Sequence, residues 1–184
     1  AKEQKTTLYY AIEIADIEII KILLLNSKIL DIINEKTICE DKCLYQEMTS
    51  FHCAIKKENF EIIKMLIDQP LLEINEKLVI KTKDNTTKTK KLLTPLYYAI
   101  YKDSIEIIKL LLESTNEINY NEESILKRKI IDNSQKGSNK MPYEIKRLTP
   151  LQQSIIKGNV DVINLLLNSP KIDINTKTLY QSRF

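Results

Sequence analysis

The side chains best suited to chemistry gather in one short part of the chain. This part holds all three cysteines and the one histidine: Cys39, Cys43, His52 and Cys53. Thiolate and imidazole groups bind zinc, but compact zinc sites place their ligands in closely spaced pairs. The spacing C-x3-C-x8-H-C fits no such pattern well, so we expect a structural histidine and unreactive thiols. A metal site is the less favoured alternative, and no cofactor is predicted.

Other routes to catalysis lack the residues that they need. The chain has two glycines, Gly137 and Gly158, which cannot supply a glycine-rich phosphate loop. A single histidine leaves few ways to build a nucleophile–base–acid triad. Most carboxylates fall at predicted helix starts, where capping and the helix dipole explain them. We therefore expect no enzymatic activity.

Size and composition point to one domain with a buried core. The chain has 184 residues, of which 43% are hydrophobic. No apolar run approaches the roughly 18 residues that suggest a membrane span. The polar start AKEQKTT does not resemble a secretory signal, and an odd number of cysteines favours a reducing compartment. We expect an intracellular, cytoplasmic protein without a membrane span.

One sequence pattern occurs four times. The copies begin at threonines that are 43, 45 and 55 residues apart: Thr6, Thr49, Thr94 and Thr149. Self-similarity at this period is typical of a solenoid, whose units bury their apolar faces only against their neighbours. We therefore expect four helix–turn–helix units stacked in series.

The first helix of each unit is predicted from its cap and its apolar stripe. The threonine hydroxyl can accept a free backbone N–H of the first turn. In two copies proline follows, at Pro95 and Pro150. Proline is tolerated at the first helical position because an N–H group there would make no hydrogen bond within the helix. A large apolar residue, a small residue three positions on and an isoleucine come next, as in Leu8, Ala11 and Ile12. These positions form a narrow buried stripe.

The second helix of each unit is apolar around much of its circumference. In the third copy it covers Ile105 to Leu112, preceded by Ser104 as a potential N-cap. Glu106 lies in its first turn, where the helix dipole favours a negative charge. A helix of this kind is expected between layers of the structure and not on its surface.

These residue types, in this order, resemble the ankyrin repeat. The match runs from Thr-Pro-Leu-x-x-Ala through a short turn and an aliphatic second helix to a closing Ile-Asn pair. The resemblance implies a mainly α fold: a single ankyrin-like helix–turn–helix solenoid over residues 1–184, with extended β-hairpin fingers between repeats. The repeats are expected at residues 6–34, 49–75, 94–119 and 149–175, and the finger insertions at 35–48, 76–93 and 120–148.

The chain departs from the ankyrin pattern at two kinds of position. Only the second copy keeps the family histidine, at His52. Only the fourth copy keeps the glycine between the helices, at Gly158. Ala15, Glu58 and Asp103 must therefore make that turn without glycine. If the turn needs a positive φ, each of them carries strain of about 1 kcal/mol.

The fingers are predicted to form hairpins. In the second finger, two β-prone arms, Leu78–Lys83 and Thr87–Leu92, flank a potential turn at Asp84-Asn85. In the third finger, the segments ILKRKII and YEIKR can pair as strands. The polar segment Asn133–Lys140 between them is expected to be a mobile tip.

Basic residues are concentrated in two fingers. Residues Lys81 to Lys91 carry a net charge of +4 and residues Lys127 to Arg147 carry +5, whereas the whole chain carries +3. The lysines could blunt an exposed hairpin edge, attract an acidic protein, or contact a nucleic-acid backbone. The first interpretation is favoured. Nucleic acid is the least favoured because no aromatic residue alternates with the lysines of the second finger.

The first helices also carry a cluster of tyrosines. Tyr9 and Tyr97 are expected to pack between stacked helices, whereas Tyr98 and Tyr101 are expected to face outward. In ankyrin repeats the partner contacts the concave first-helix face and the fingers. The resemblance therefore implies these contact residues: Tyr45, Gln46, Met48, Lys56, Lys57, Lys90, Lys91, Tyr98, Tyr101, Lys102, Lys146, Arg147, Gln153 and Lys157.

Together these features predict a non-catalytic scaffold that recognises another protein and acts as a monomer. The partner is expected to be acidic, because the fingers are basic. Binding of an anionic polymer or nucleic acid through the lysine-rich fingers is the alternative. A third possibility is that the chain is the repeat portion of a larger protein, since Thr176 to Phe184 resembles the start of another finger.

Overall fold

The computed structural model describes residues 2–84, 86–114, 117–130 and 142–183, with the backbone only for Ile130 and Arg183. The segment Asn133–Lys140, expected to be a mobile tip, lies outside the described residues. The helices are α1 (Thr7–Ile14), α2 (Ile17–Leu24), α3 (Ser27–Asp31), α4 (Ser50–Lys57), α5 (Phe60–Ile67), α6 (Pro95–Tyr101), α7 (Ile105–Glu113), α8 (Pro150–Lys157) and α9 (Val160–Leu167). The strands are β1 (Lys2–Gln4), β2 (Lys36–Glu40), β3 (Leu44–Thr49), β4 (Leu78–Lys83), β5 (Thr87–Leu93), β6 (Ser124–Ile130), β7 (Tyr143–Leu148) and β8 (Tyr180–Arg183).

The helices form the predicted helix–turn–helix repeats. The first helices are α1, α4, α6 and α8, and each is capped by a threonine whose side chain accepts the backbone N–H three residues on. Second helices α2, α5 and α9 are capped in the same way by Asp16, Asn59 and Asn159. Ser104 makes no side-chain capping bond to α7, which is therefore the exception.

The turn between the two helices is left-handed in every repeat. Ala15, Glu58 and Asp103 have φ angles of 58°, 55° and 59°, close to the 69° of Gly158. The predicted turn without glycine is thus confirmed at all three positions. A side chain in this region costs about 1 kcal/mol, so three of the four repeats carry local strain that stacking must offset.

The core lies along the middle of the helical stack. The stripe isoleucines Ile12, Ile55 and Ile100 are buried, whereas Ile155 in the fourth repeat is 56% exposed. Helix α5 buries four residues and α7 buries three, but α2 and α9, at the two sides of the described stack, bury only two each. Burial of a second helix therefore depends on having a repeat on both sides.

The fingers do not stand apart as separate hairpins. The two predicted arms of the second finger are β4 and β5, and the flanking segments of the third finger are β6 and β7. In addition, β3 pairs with β4, β5 with β6, and β7 with β8. The result is one antiparallel sheet of eight described strands in chain order. The expectation of a mainly α fold is not confirmed, because this sheet accompanies the helical stack along its whole length.

One asparagine side chain ties each repeat to the next. The Asn75 amide donates to the Glu117 carbonyl oxygen (2.7 Å), and its oxygen accepts the Asn119 N–H (2.8 Å). Asn34 makes the same two bonds one repeat earlier, at 2.7 and 2.8 Å. The closing asparagine of the sequence pattern is therefore a clamp between neighbouring loops.

The clamp of the third repeat corrects the sequence alignment. It is made by Asn121, which donates to the Lys171 carbonyl oxygen (3.0 Å) and accepts the Asp173 N–H (2.8 Å). The third repeat was predicted to end at residue 119, on the pair Ile118-Asn119, but its closing pair is Tyr120-Asn121. The sequence was misleading because it contains an Ile-Asn pair two residues before the true closing pair. In this repeat, Tyr120 takes the buried position that isoleucine takes before Asn34 and Asn75.

No described helix has the length and apolar character needed to cross a membrane.

Removing one clamp tests the link between repeats. We expect Asn75→Ala to lower the free energy of unfolding by about 1–3 kcal/mol, because two hydrogen bonds to the next repeat are lost. Asn175→Ala is the matched control, since no described hydrogen bond involves the Asn175 side chain. The control should change stability by less than about 0.5 kcal/mol. Urea unfolding followed by circular dichroism measures both, and equal effects would contradict the clamp.

Candidate functional site

A groove of about 320 Å³ lies between the sheet and the first helices of the third and fourth repeats. Its walls are the face of β5, β6 and β7 that is turned toward α6 and α8. The register of the sheet explains this wall, because Lys91, Leu126 and Lys146 lie directly opposite one another on adjacent strands and so share a face. Four of the predicted contact residues line the groove: Lys91, Tyr101, Lys146 and Gln153.

The floor of the groove is apolar and fixed in place. Tyr97 is fully buried, and its hydroxyl donates to Gln153 Oε1 (2.7 Å), which joins the first helices of two repeats. Leu126 and Leu148 add apolar surface from the sheet, and Ile156 projects from α8 with 65% of its surface exposed. An apolar side chain of a ligand could displace water from this floor.

Tyr101 stands at the rim between two lysines. Lys91 Nζ lies 4.8 Å from the centre of the Tyr101 ring and 3.3 Å from its hydroxyl, and Lys157 Nζ lies 5.8 Å from the ring centre. Lys157 is itself held, because it donates to the Tyr101 carbonyl oxygen (2.8 Å) and pairs with Asp103. Tyr101 is 42% exposed, so it offers a pre-positioned aromatic surface.

The charge around the groove is mostly positive. Lys91, Lys127, Arg128 and Lys146 line it, and Glu144 is the acidic residue among the lining residues. Glu144 lies 2.9 Å from Lys146 Nζ and accepts the Tyr180 hydroxyl (3.1 Å). The hydrogen bond from Lys146 lowers the pKa of Glu144, so this carboxylate is held ionised and partly neutralises one lysine. The remaining positive charge favours an anionic ligand.

Two predicted contact residues are buried away from this groove. Met48 is 2% exposed and Tyr98 is 8% exposed. The prediction that Tyr98 faces outward is wrong, because its ring is turned toward α4, with its centre 6.5 Å from that of His52. The corresponding Tyr10 of the first repeat is 58% exposed, because no helix of the described residues packs against it in the way that α4 packs against Tyr98. The expectation that Tyr9 and Tyr97 pack inside the stack is confirmed.

The other predicted contact residues are spread over the molecule. Gln46 and Lys56 line a second, smaller groove beside the first finger. Lys102 pairs with Glu58 (3.1 Å) on the neighbouring repeat, and Lys57 is exposed at the end of α4. By the sheet register, Tyr45, Lys90 and Arg147 lie on the face of the sheet turned away from the helices.

The cysteines and the histidine do not come together as a ligand set. Cys53 is buried in α4, Cys43 is exposed beside the turn between β2 and β3, and Cys39 lies on β2. Across the described ranges, no group of three histidine, cysteine, aspartate or glutamate side chains could hold a metal ion.

His52 acts as a helix cap instead. Its Nδ1 atom accepts the backbone N–H of Thr49 (3.3 Å) and lies 2.8 Å from the Thr49 hydroxyl oxygen. In the fourth repeat, Gln152 Oε1 accepts the Thr149 N–H in the same way (3.0 Å). Histidine and glutamine therefore serve one structural purpose at this position.

In the first and third repeats, tyrosine stands at the position of His52 and Gln152. There, a hydroxyl group of the following finger accepts the backbone N–H of the capping threonine instead. The Thr6 N–H donates to the hydroxyl of Thr37 (3.2 Å), and the Thr94 N–H donates to the hydroxyl of Ser124 (3.1 Å). Both hydroxyl residues are fully buried. Sequence reasoning missed them, although the signal was present: a hydroxyl residue stands three positions after the clamp asparagine in both repeats that have tyrosine.

Comparison with known proteins agrees with this geometry. A family model described as ankyrin repeats, in three copies, matches residues 8–124 and again residues 71–178. Because the matches span most of the chain, this chain belongs to the ankyrin repeat family. Ankyrin repeats are generally protein–protein interaction modules and are typically not catalytic. No curated protein matches the chain significantly.

The buried histidine makes stability depend on pH. Burial lowers the pKa of His52 from its usual 6.5 to about 3, and the positive charge of Lys36 adds to the shift. A nearby backbone group of Glu76 opposes the shift, but Nε2 has no described hydrogen-bond partner. Because the unfolded chain binds this proton more readily, the contribution of His52 to stability is present above pH 6.5 and is lost as the pH falls toward 3.

His52→Gln tests this linkage with a residue that the fourth repeat already uses as the same cap. Between pH 7 and pH 5, we expect the free energy of unfolding of the wild type to fall by about 2 kcal/mol more than that of the variant. The reason is that only the wild type has a buried imidazole that takes up a proton on unfolding. Urea unfolding at the two pH values measures the difference. Parallel losses in the two proteins would contradict a buried neutral histidine.

Proposed function

We propose that this chain binds a segment of a partner protein in the groove between α6, α8 and the sheet. The observation that carries the proposal is the groove itself, where an apolar floor, an exposed aromatic ring and several lysines converge. Membership of the ankyrin repeat family supports protein recognition in general. The particular groove and the partner chemistry are our inference.

The lining residues indicate the chemistry of the partner. Leu126, Leu148 and Ile156 offer an apolar floor that suits one aliphatic or aromatic side chain. Lys91 and Lys146 at the rim suit carboxylates on either side of that side chain. We therefore infer a partner segment in which an apolar residue is flanked by aspartate or glutamate.

Prior ordering of the groove should favour binding. Tyr97 and Gln153 are hydrogen-bonded across two repeats, and Lys157 holds the backbone at Tyr101. These contacts exist before any partner arrives, so little side-chain entropy is lost on association. Specificity then comes from complementary charge and from the fit of one apolar anchor.

Selection of peptides from a random library displayed on phage tests the proposal. We expect enriched peptides to contain an apolar residue between acidic residues. Fluorescence anisotropy should show that Tyr101→Ala weakens their binding by about tenfold or more, because an aromatic contact at the rim is lost.

Tyr10→Ala is the matched control, since Tyr10 is an exposed tyrosine on a first helix far along the chain from the groove. Its effect should stay within about twofold. Failure to enrich any peptide would contradict the proposal, and so would enriched peptides that bind the Tyr101→Ala variant as tightly as the wild type.

A further inference from the structure

The outer face of the sheet carries an ordered array of lysines. Residues directly opposite one another in an antiparallel sheet share a face, and residues two apart along a strand share it as well. The register places Lys81, Lys90 and Lys127 side by side on β4, β5 and β6. The next row toward the finger tips is Lys83, Lys88 and Lys129. These six residues are called the lysine array below.

No lysine of the array is ion-paired in the described structure, although Glu40 and Asp41 border the same depression as four of them. All six side chains are exposed. Four pairs of lysines lie directly opposite each other across strands, as Lys81 does to Lys90 and Lys88 does to Lys129. Like charges in this position destabilise a sheet, so the fold gains nothing from this arrangement.

Protection of an open edge does not explain the array. Lysines on an edge strand block unwanted pairing with another chain. Here β4 is paired with β3 and β5, β5 with β4 and β6, and β6 with β5 and β7. The array therefore lies on interior strands that have no free edge to protect. A face kept only for solubility would mix both signs of charge.

The density of the array indicates its partner. Neighbouring strands are about 4.8 Å apart and alternate residues about 6.8 Å apart, so six charges share a very small area. An extended acidic peptide presents one carboxylate about every 6.8 Å on a face. Over about 10 Å, such a peptide therefore offers about two carboxylates, whereas a duplex carries about six phosphate charges over the same length of its axis, counted on both strands. In charge per unit length, the phosphate backbone is the closer match to six lysines.

We propose that the lysine array is a binding surface for the phosphate backbone of nucleic acid. Lysine binds phosphate as a point charge on a flexible stem and does not require a fixed geometry. Two tyrosines share this face, Tyr45 and Tyr143, and both are half-buried. Lys81 Nζ also lies 4.1 Å from the centre of the Tyr45 ring, so the face offers little free ring surface for stacking on bases. Binding is therefore independent of base sequence.

By the register, the side chains of the lysine array lie on the face of the sheet opposite to Lys91 and Lys146, which line the proposed peptide groove. Lys127 also borders that groove, so the variant tested below leaves it unchanged. The proposal does not depend on peptide binding in the groove.

Fluorescence anisotropy with a labelled 20-base-pair DNA duplex tests the proposal. The variant changes Lys83, Lys88 and Lys90, which make no described contact through their ammonium groups, to glutamine. The control changes Lys28, Lys64 and Lys109, which are exposed on α3, α5 and α7, to glutamine and alters the net charge equally. Single-stranded RNA of 20 nucleotides and polyglutamate of similar charge serve as the other two probes.

The wild type should bind the duplex with an affinity that falls steeply with salt. The array variant should lose about tenfold in affinity, and the slope of log K against log salt should fall by about 3, because three phosphates are no longer neutralised. The control variant should keep both values. The array variant should also melt no lower than the wild type, because repulsion between lysines has been removed.

Four results would overturn the proposal. The first two are no binding of the duplex or of the RNA at low salt, and equal losses of duplex affinity in the two variants. The third is array-dependent binding of polyglutamate that is tighter than binding of either nucleic acid, and the fourth is a lowered melting temperature of the array variant alone. The third would assign the surface to an acidic protein instead. Tyr101→Ala should leave duplex binding unchanged, so failure here is separable from failure of the peptide groove.

Discussion

Backbone pairing between neighbouring fingers is the interaction on which the rest of this structure depends. A lone two-stranded hairpin is only marginally stable in water. Here β4 and β5 are hydrogen-bonded to each other, and each is also paired to a strand of the neighbouring finger. This continuity forms the sheet wall of the groove beside α6 and α8, and it holds the strands that carry the lysine array in register.

Continuous pairing requires that the helical stack and the sheet advance by the same distance per repeat. Packed helices lie about 8–10 Å apart, and two strands together occupy about 9.6 Å. One helical pair and one hairpin therefore take up similar distances along the stack, so each finger can pair with the next. The asparagine clamps hold this spacing at the loops, as Asn75 does between the second and third repeats.

Local features were predictable from the sequence, whereas features set by the next repeat were not. The threonine caps, the left-handed turn at Ala15 and the arms β4 and β5 follow from residue types within one unit. Pairing of β5 with β6 and burial of Tyr98 depend on a neighbour that lies about 30–45 positions away in the sequence. The groove was only partly predictable for the same reason. Lys91 and Tyr101 were each predicted as contact residues, but Leu126 and Leu148 were not, because only the strand register brings these four residues to one groove.

Hydrogen exchange of individual backbone amides in the second finger tests the continuous sheet most directly. The Lys83 N–H donates to the Cys43 carbonyl oxygen of the first finger (2.9 Å). Because N–H groups alternate in direction along a strand, the Lys81 N–H also points toward the first finger. The Ile80 and Thr82 N–H groups point toward β5 of their own hairpin. The account predicts that Lys81 exchanges about as slowly as Ile80 and Thr82. Rapid exchange of Lys81 beside protected Ile80 and Thr82 would mean that the fingers stand alone, and would contradict it.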